Sequence, residues 1–144
     1  MTDIKRLNYF TNQFLVQKDF TDEQAYHLGM RRRHNLLFHT WGVADGGLLV
    51  AKTSDHALSV GAGMAIDNTG AEIVVLDTRS IDLTAQGTST SVFITLQYQE
   101  DFDQADHYTT GGVDNYIRTT EYAVLAATKT TPPGSPQPRK AKLT

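Results

Sequence analysis

Residues 26–42 read YHLGMRRRHNLLFHTWG, a run that carries His27, His34 and His39 together with three consecutive arginines, Arg31, Arg32 and Arg33. Whether it is a metal site, a catalytic centre, a nucleic-acid patch or a structural seam decides how the rest of the chain is read. Just upstream, Thr21 followed by Gln24 forms a capping box, and Asp22 and Glu23 sit where a helix dipole favours acids. Gly42 is a stop signal, so the pattern predicts a helix over residues 22–39. At 100° per residue, Tyr26, Met30, Arg33 and Leu37 share a narrow stripe. His27, Arg31, His34 and Phe38 form the adjacent strip, while Arg32 and His39 point elsewhere. Gly29 costs a helix about 1 kcal/mol against alanine, which makes sense if another backbone approaches closely there.

The chemical readings of this run fail one by one. His27 and His34 are seven residues apart, not at the i,i+4 spacing of helical zinc pairs, and the residue between them on that face is the cation Arg31. Three consecutive arginines on a helix point in three directions and cannot form one row for a groove. The chain is also net acidic, with a formal charge of -3, so nucleic acid is not an expected partner. No serine sits in a G-x-S-x-G elbow, no carboxylate pair has a catalytic spacing, and GAGMAIDNTG lacks the pattern of a phosphate-binding loop. Gly61 and Gly63 read instead as a bend or bulge in a strand. With no cysteine in the chain, disulfides and thiolate chemistry are ruled out. No catalytic, cofactor-binding or metal-ligating residue is assigned, no cofactor is expected, and the chain is read as not an enzyme.

What remains is a structural seam. A guanidinium on an apolar stripe must find carboxylates or carbonyls, and Asn35 and Trp41 need partners if they are buried. The helix is therefore expected to dock on β-structure through polar and aromatic contacts, within the chain or between chains. Trp41 marks a change of character. GLLVAKT, ALSVGAGMAID, AEIVVLDT, SIDLTA, SVFITLQYQED and EYAVLAATK are short β-rich runs separated by SDH, NTG, QGTST and TTGGVDN. In SVFITLQY, Val92, Ile94 and Leu96 alternate with Phe93, Thr95 and Gln97, and DNTG is a hairpin turn. The fold class is mainly β: a small β-sandwich or barrel preceded by an aromatic N-terminal arm and one long α-helix, with an extended Pro-rich C-terminal arm. Its parts are an arm over residues 1–20, a helix plus β domain over residues 21–130, and a tail over residues 131–144 that holds all four prolines and only basic charges. No apolar run approaches the roughly 20 residues that span a bilayer, and MTDIKRLNYF has no signal-peptide core.

The stretch RLNYFTNQFLVQKDFTDEQAYHLGMRRRHNLLFHTWGVADGGLLV, followed by LSVGAGMAIDNTGAEIVV, resembles the N-terminal module of baseplate and tail-fibre-type proteins. These come from contractile phage tails and phage-tail-like contractile injection systems. The features that carry the likeness are the LNYF arm, RRHN, Trp41-Gly42-Val43 and AID..G.EI, in that order, over about residues 6–76. This chain has His39-Thr40-Trp41 where the family pattern has His-Gly-Trp, and Ala62 where it has a proline. The resemblance implies a structural subunit of a contractile tail or injection particle, at the baseplate or fibre-attachment region, that acts by protein–protein assembly. It implies no catalytic activity or cofactor. Its partners would be itself, as a homotrimer, and other baseplate or fibre subunits, with no membrane insertion. Its place would be the virion tail or phage-tail-like particle, after synthesis in the host cytoplasm. The residues expected at interfaces are Tyr9, Phe10, Phe14, Tyr26, Arg31, Arg33, His34 and Trp41. The alternative is a small β-sandwich module that binds a glycan or receptor through Tyr98, Tyr108, Tyr116 and the DFDQADHYTTGGVDNY loop, where Asp101, Asp103 and Asp106 could also meet calcium.

Overall fold

The computed structural model describes residues 4–87 and 91–131; the Pro-rich segment 132–144 lies outside the described residues. The chain is mainly β, with one long helix and several small antiparallel sheets. The helix, α1, spans Gln17–Phe38. It starts five residues before the capping box at Thr21 predicts, and the reason is local. Asp19 sits at the third helical position and its carboxylate accepts the Val16 N–H at 2.9 Å, which satisfies one of the donors a helix start leaves open. Gln17 and Lys18 are good helix formers, so nothing delays the first turn. Thr21 is then interior, and its hydroxyl donates back to the Lys18 carbonyl. At the other end His39 turns to extended backbone and its N–H closes on the Asn35 carbonyl.

The expected strands are present with sharper bounds. One three-stranded sheet runs β1 (Gly42–Val43), β4 (Gly63–Ile66) and β5 (Glu72–Val75); another runs β2 (Val50–Ser54), β3 (Ala57–Val60) and β6 (Arg79–Asp82). The hairpin strands β7 (Phe93–Phe102) and β10 (Thr119–Thr128) pair with each other along their full length. The DNTG turn joins β4 to β5 as expected. The Asp67 carboxylate accepts the N–H groups of Thr69 and Ala71, and Gly70 takes the positive φ of 83° that the turn requires. The stretch DFDQADHYTTGGVDNY, expected as a loop, is instead a second hairpin, β8 (His107–Thr110) and β9 (Val113–Tyr116). Gly111 and Gly112 both have positive φ at its tip, the two-residue turn whose twist matches the flanking strands.

The core lies between the β4–β5 pair and the β7–β10 hairpin. Ala65, Ile73, Val75 and Ala123 are buried there, with Leu48, Leu96 and Tyr98 packed against them. Leu58, Val60 and Ile81 are buried on the β3–β6 pair. Gly63 is not the site of a bulge; it lets two backbones touch. A β-carbon on it would sit 2.5 Å from the Leu48 nitrogen, where Gly47 also closes in. At Gly61, by contrast, the same carbon would meet its nearest neighbour at 3.6 Å, an ordinary contact. Gly63→Ala is therefore expected to lower stability by about 2 kcal/mol or more, while Gly61→Ala stays within about 0.5 kcal/mol of the parent. Urea unfolding of the two variants checks this, and equal midpoints would show that the 47–63 approach is slack.

Candidate functional site: the helix and its seam

The helix meets the β domain along a short length. A face of Leu28, Arg31, Arg32 and Asn35 rests on the turn and first residues of β5, beside Tyr98 and Glu121. Asn35 is the one buried polar residue among those described, at 5% exposure. Its amide donates to the Gly70 carbonyl at 2.9 Å and to Glu72 Oε1 at 3.1 Å, so it answers the demand that a buried amide be paired. Arg31 reaches the other Glu72 oxygen at 3.2 Å. The Arg32 guanidinium lies over the Tyr98 ring, 5.6 Å from its centroid, in cation–π geometry. The Arg32 Nε is buried without a hydrogen-bond partner, and the cleft next to it has room for about one water. The approach is close because Gly70 has no side chain: a β-carbon there would sit 2.4 Å from the Arg32 carbonyl oxygen.

These positions revise the reading of the helix faces. Arg32, placed away from any contact by the stripe, is the arginine that faces the domain. Arg33, placed on the apolar stripe, is exposed, and its guanidinium lies 3.9 Å from the Met30 sulfur. Gly29 has no backbone within contact of an added β-carbon; the close approach is at Gly70. His39 does not point away from its neighbours, since its Nε2 lies 3.1 Å from that of His34 and the His34 ring also packs on Phe38. Leu28, Asn35 and the arginines between them share one face at i, i+3/i+4, i+7 spacing. That spacing was the signal for the true seam, hidden because its residues are mostly polar.

The expected interface residues fall into two groups. Tyr9 folds back onto the helix and donates its hydroxyl to Glu23. Ile4 and Lys5 line a groove with Tyr26, Gly29, Met30 and Arg33, so the start of the arm runs antiparallel along the stripe. Tyr26 and Trp41 are half-buried, and Arg31 is engaged by Glu72. Phe10 and Phe14 project from the arm, Phe14 with 86% of its surface exposed. With Phe20, Leu36, Leu37 and Phe38 also exposed, the arm and helix present far more apolar surface than a solvated helix needs.

The binding-module residues do not converge. Tyr98 lies under Arg32 against the core, Tyr116 stacks on Phe102 at 5.0 Å, and Tyr108 stands exposed. Asp101 accepts the Tyr122 hydroxyl, Asp103 caps a turn at Ala105, and Asp106 pairs with Arg118. Among the described residues no three His, Cys, Asp or Glu side chains are grouped to hold a metal, and no helix is long and apolar enough to cross a membrane.

The chain matches no protein-family model. It matches no curated protein either. Among solved structures, a chain of "The baseplate complex from the type VI secretion system" aligns with 88% of this chain and 48% of its own length, at a TM-score of 0.44 and 16% identity. The present chain thus spans about half the length of that neighbour.

Removing the amide in Asn35→Ala leaves the Gly70 carbonyl and Glu72 short of donors and is expected to cost about 1–3 kcal/mol. Hydrogen exchange should quicken over residues 28–38 well before the β core; unchanged exchange there would deny Asn35 its anchoring role. Tyr98 gives a second handle. Burial first, then its hydrogen bond to Glu100 and the charge of Glu121, push its pKa from 10.0 up to about 12. The fold favours the neutral phenol, so this contribution is complete below pH 10 and is lost as pH rises through 12. Tyr98→Phe is expected to flatten the fall in melting temperature across pH 10–12. A fall as steep as the parent's would show that Tyr98 is not responsible.

Proposed function

We propose that this chain is a non-enzymatic structural subunit of a contractile tail or injection particle, seated at the baseplate or fibre-attachment region. The observation that carries the reading is the apolar surface of the arm and helix. Phe10 and Phe14 on the arm, and Phe20, Leu36, Leu37 and Phe38 on a 22-residue helix, lie in water, and that helix meets its domain along the short seam of Arg31, Arg32 and Asn35. A helix that spends so few of its apolar residues on its own core finds its stability in contacts with other chains. The resemblance of RRHN, Trp41-Gly42-Val43 and AID..G.EI to tail and baseplate modules supplies the setting. In this reading copies associate through arm and helix as a homotrimer, and other baseplate or fibre subunits complete the coverage. Tyr9 and Tyr26 shape the arm-on-helix surface, Phe10 and Phe14 are its anchors, and Arg33, His34 and Trp41 form its polar and aromatic border.

The test has two arms. In cells that encode the chain, it is expected to co-sediment with sheathed particles and to be labelled at one end of them in immunogold micrographs. Recovery only in the free soluble fraction, with normal particles in a deletion strain, would refute the assignment. In vitro, Phe14→Ser combined with Leu37→Ser is expected to weaken self-association at least about tenfold, since each removes roughly 1.5–3 kcal/mol of burial from a contact, while circular dichroism stays unchanged. Light scattering reads the mass.

A further inference from the structure

The β7–β10 hairpin has two long edges, and the chain treats them differently. Asp103 N–H bonds to the Arg118 carbonyl, which sets the phase of the ladder. Odd-numbered residues of β7 exchange hydrogen bonds with β10, and even-numbered ones point their N–H and C=O outward. The same phase sends the Ala123 and Ala127 carbonyls of β10 outward. There the Arg79 guanidinium caps Ala123 at 2.7 Å and the Gln86 amide caps Ala127 at 3.0 Å. Two outward carbonyls of the β10 edge are therefore covered by side chains.

The β7 edge differs. Among the described residues, no other element bonds to the outward backbone groups of Ile94, Leu96, Tyr98 or Glu100. The strand is ten residues long, and Phe93–Gln99 contains no charge and no proline. Natural proteins guard exposed edges of this kind with lysine, proline or bulges, and none is present. We propose that β7 pairs antiparallel with β7 of a second copy, about a twofold axis at Leu96, to make a continuous four-stranded sheet.

The register follows from the sequence and the ladder phase. An axis on a residue, rather than between two, brings outward groups face to face, and Leu96 is the centre of the uncharged run Phe93–Gln99. Ile94 then pairs with Tyr98 of the partner and Leu96 with its own counterpart, giving about six new N–H···O bonds. Glu100 and Asp101 of each copy lie opposite the uncharged start of the other strand, so no like charges meet although each chain is net acidic. The apolar even-numbered side chains continue one face across the axis. Such a self-complementary interface is what twofold symmetry requires, and it is separate from the arm-and-helix surface.

The same register tests the proposal. Thr95 of one copy falls directly opposite Gln97 of the other, in the closely spaced non-hydrogen-bonded pair, with both side chains on the outer face. Thr95→Lys with Gln97→Lys places like charges opposite each other twice, whereas Thr95→Glu with Gln97→Lys places opposite charges there. Both double variants lose the Thr95 bond to the Ala126 carbonyl equally, so folding effects are matched. Sedimentation equilibrium is expected to show the Lys/Lys form with half the mass of the parent and about tenfold weaker pairing, and the Glu/Lys form with the parent's mass. Equal behaviour of the two variants, or a parent that never forms an even-numbered assembly, would overturn the twofold. The Phe14→Ser, Leu37→Ser pair leaves this step intact, so the two interfaces can fail independently.

Discussion

Gly70 is where this molecule is joined. Its positive φ closes the β4–β5 turn, and its bare α-carbon lets the Arg32 carbonyl settle where any side chain would collide. Once the backbones touch there, Asn35 is pressed against the Gly70 carbonyl and Glu72, Arg31 finds the second oxygen of Glu72, and Arg32 is laid across Tyr98. None of these contacts is strong alone: an exposed ion pair is worth under about 1 kcal/mol. Their value is in direction. A buried amide with two fixed acceptors tolerates one placement of the helix, whereas an apolar stripe would allow sliding.

The two halves of the chain consequently follow different rules. The β domain is closed by ordinary means, with small and branched residues between two layers, glycines at 47 and 63 where strands cross, and an Asx turn at 67. The helix and arm keep their phenylalanines outward. A conventional domain would reverse that arrangement, burying Phe14 and Leu37 and exposing Asn35. On the proposed reading the inversion is economical, because the polar seam holds the rod in place before a second chain covers its apolar side.

Legibility in the sequence tracks how local each signal is. The β runs, the DNTG turn and the helix are visible because period and turn chemistry act over a few residues. The helix start is not legible, because Thr21 and Gln24 make a good capping box that Asp19, two residues earlier, pre-empts. The Gly111-Gly112 hairpin reads as a loop in the sequence because its strands, HYTT and VDNY, are too polar to show alternation. The seam is legible in part: Asn35 needs partners if buried, but the apolar stripe points to Arg33 and not to Arg32. What selects Arg32 is the position of Tyr98 and Gly70, more than 35 residues away in sequence. The difference between the two hairpin edges is wholly tertiary, since it depends on Arg79 and Gln86 reaching across to β10.

The β8–β9 hairpin has a further use. It ends in two glycines with open space around them, and its strands pair with each other alone among the described sheets. Foreign sequence spliced between Gly111 and Gly112 would leave the neighbouring ladders untouched, because short polar tips accept insertions that cores refuse. A fluorescent tag or an epitope grafted there would report where this protein is found without disturbing either end of the chain.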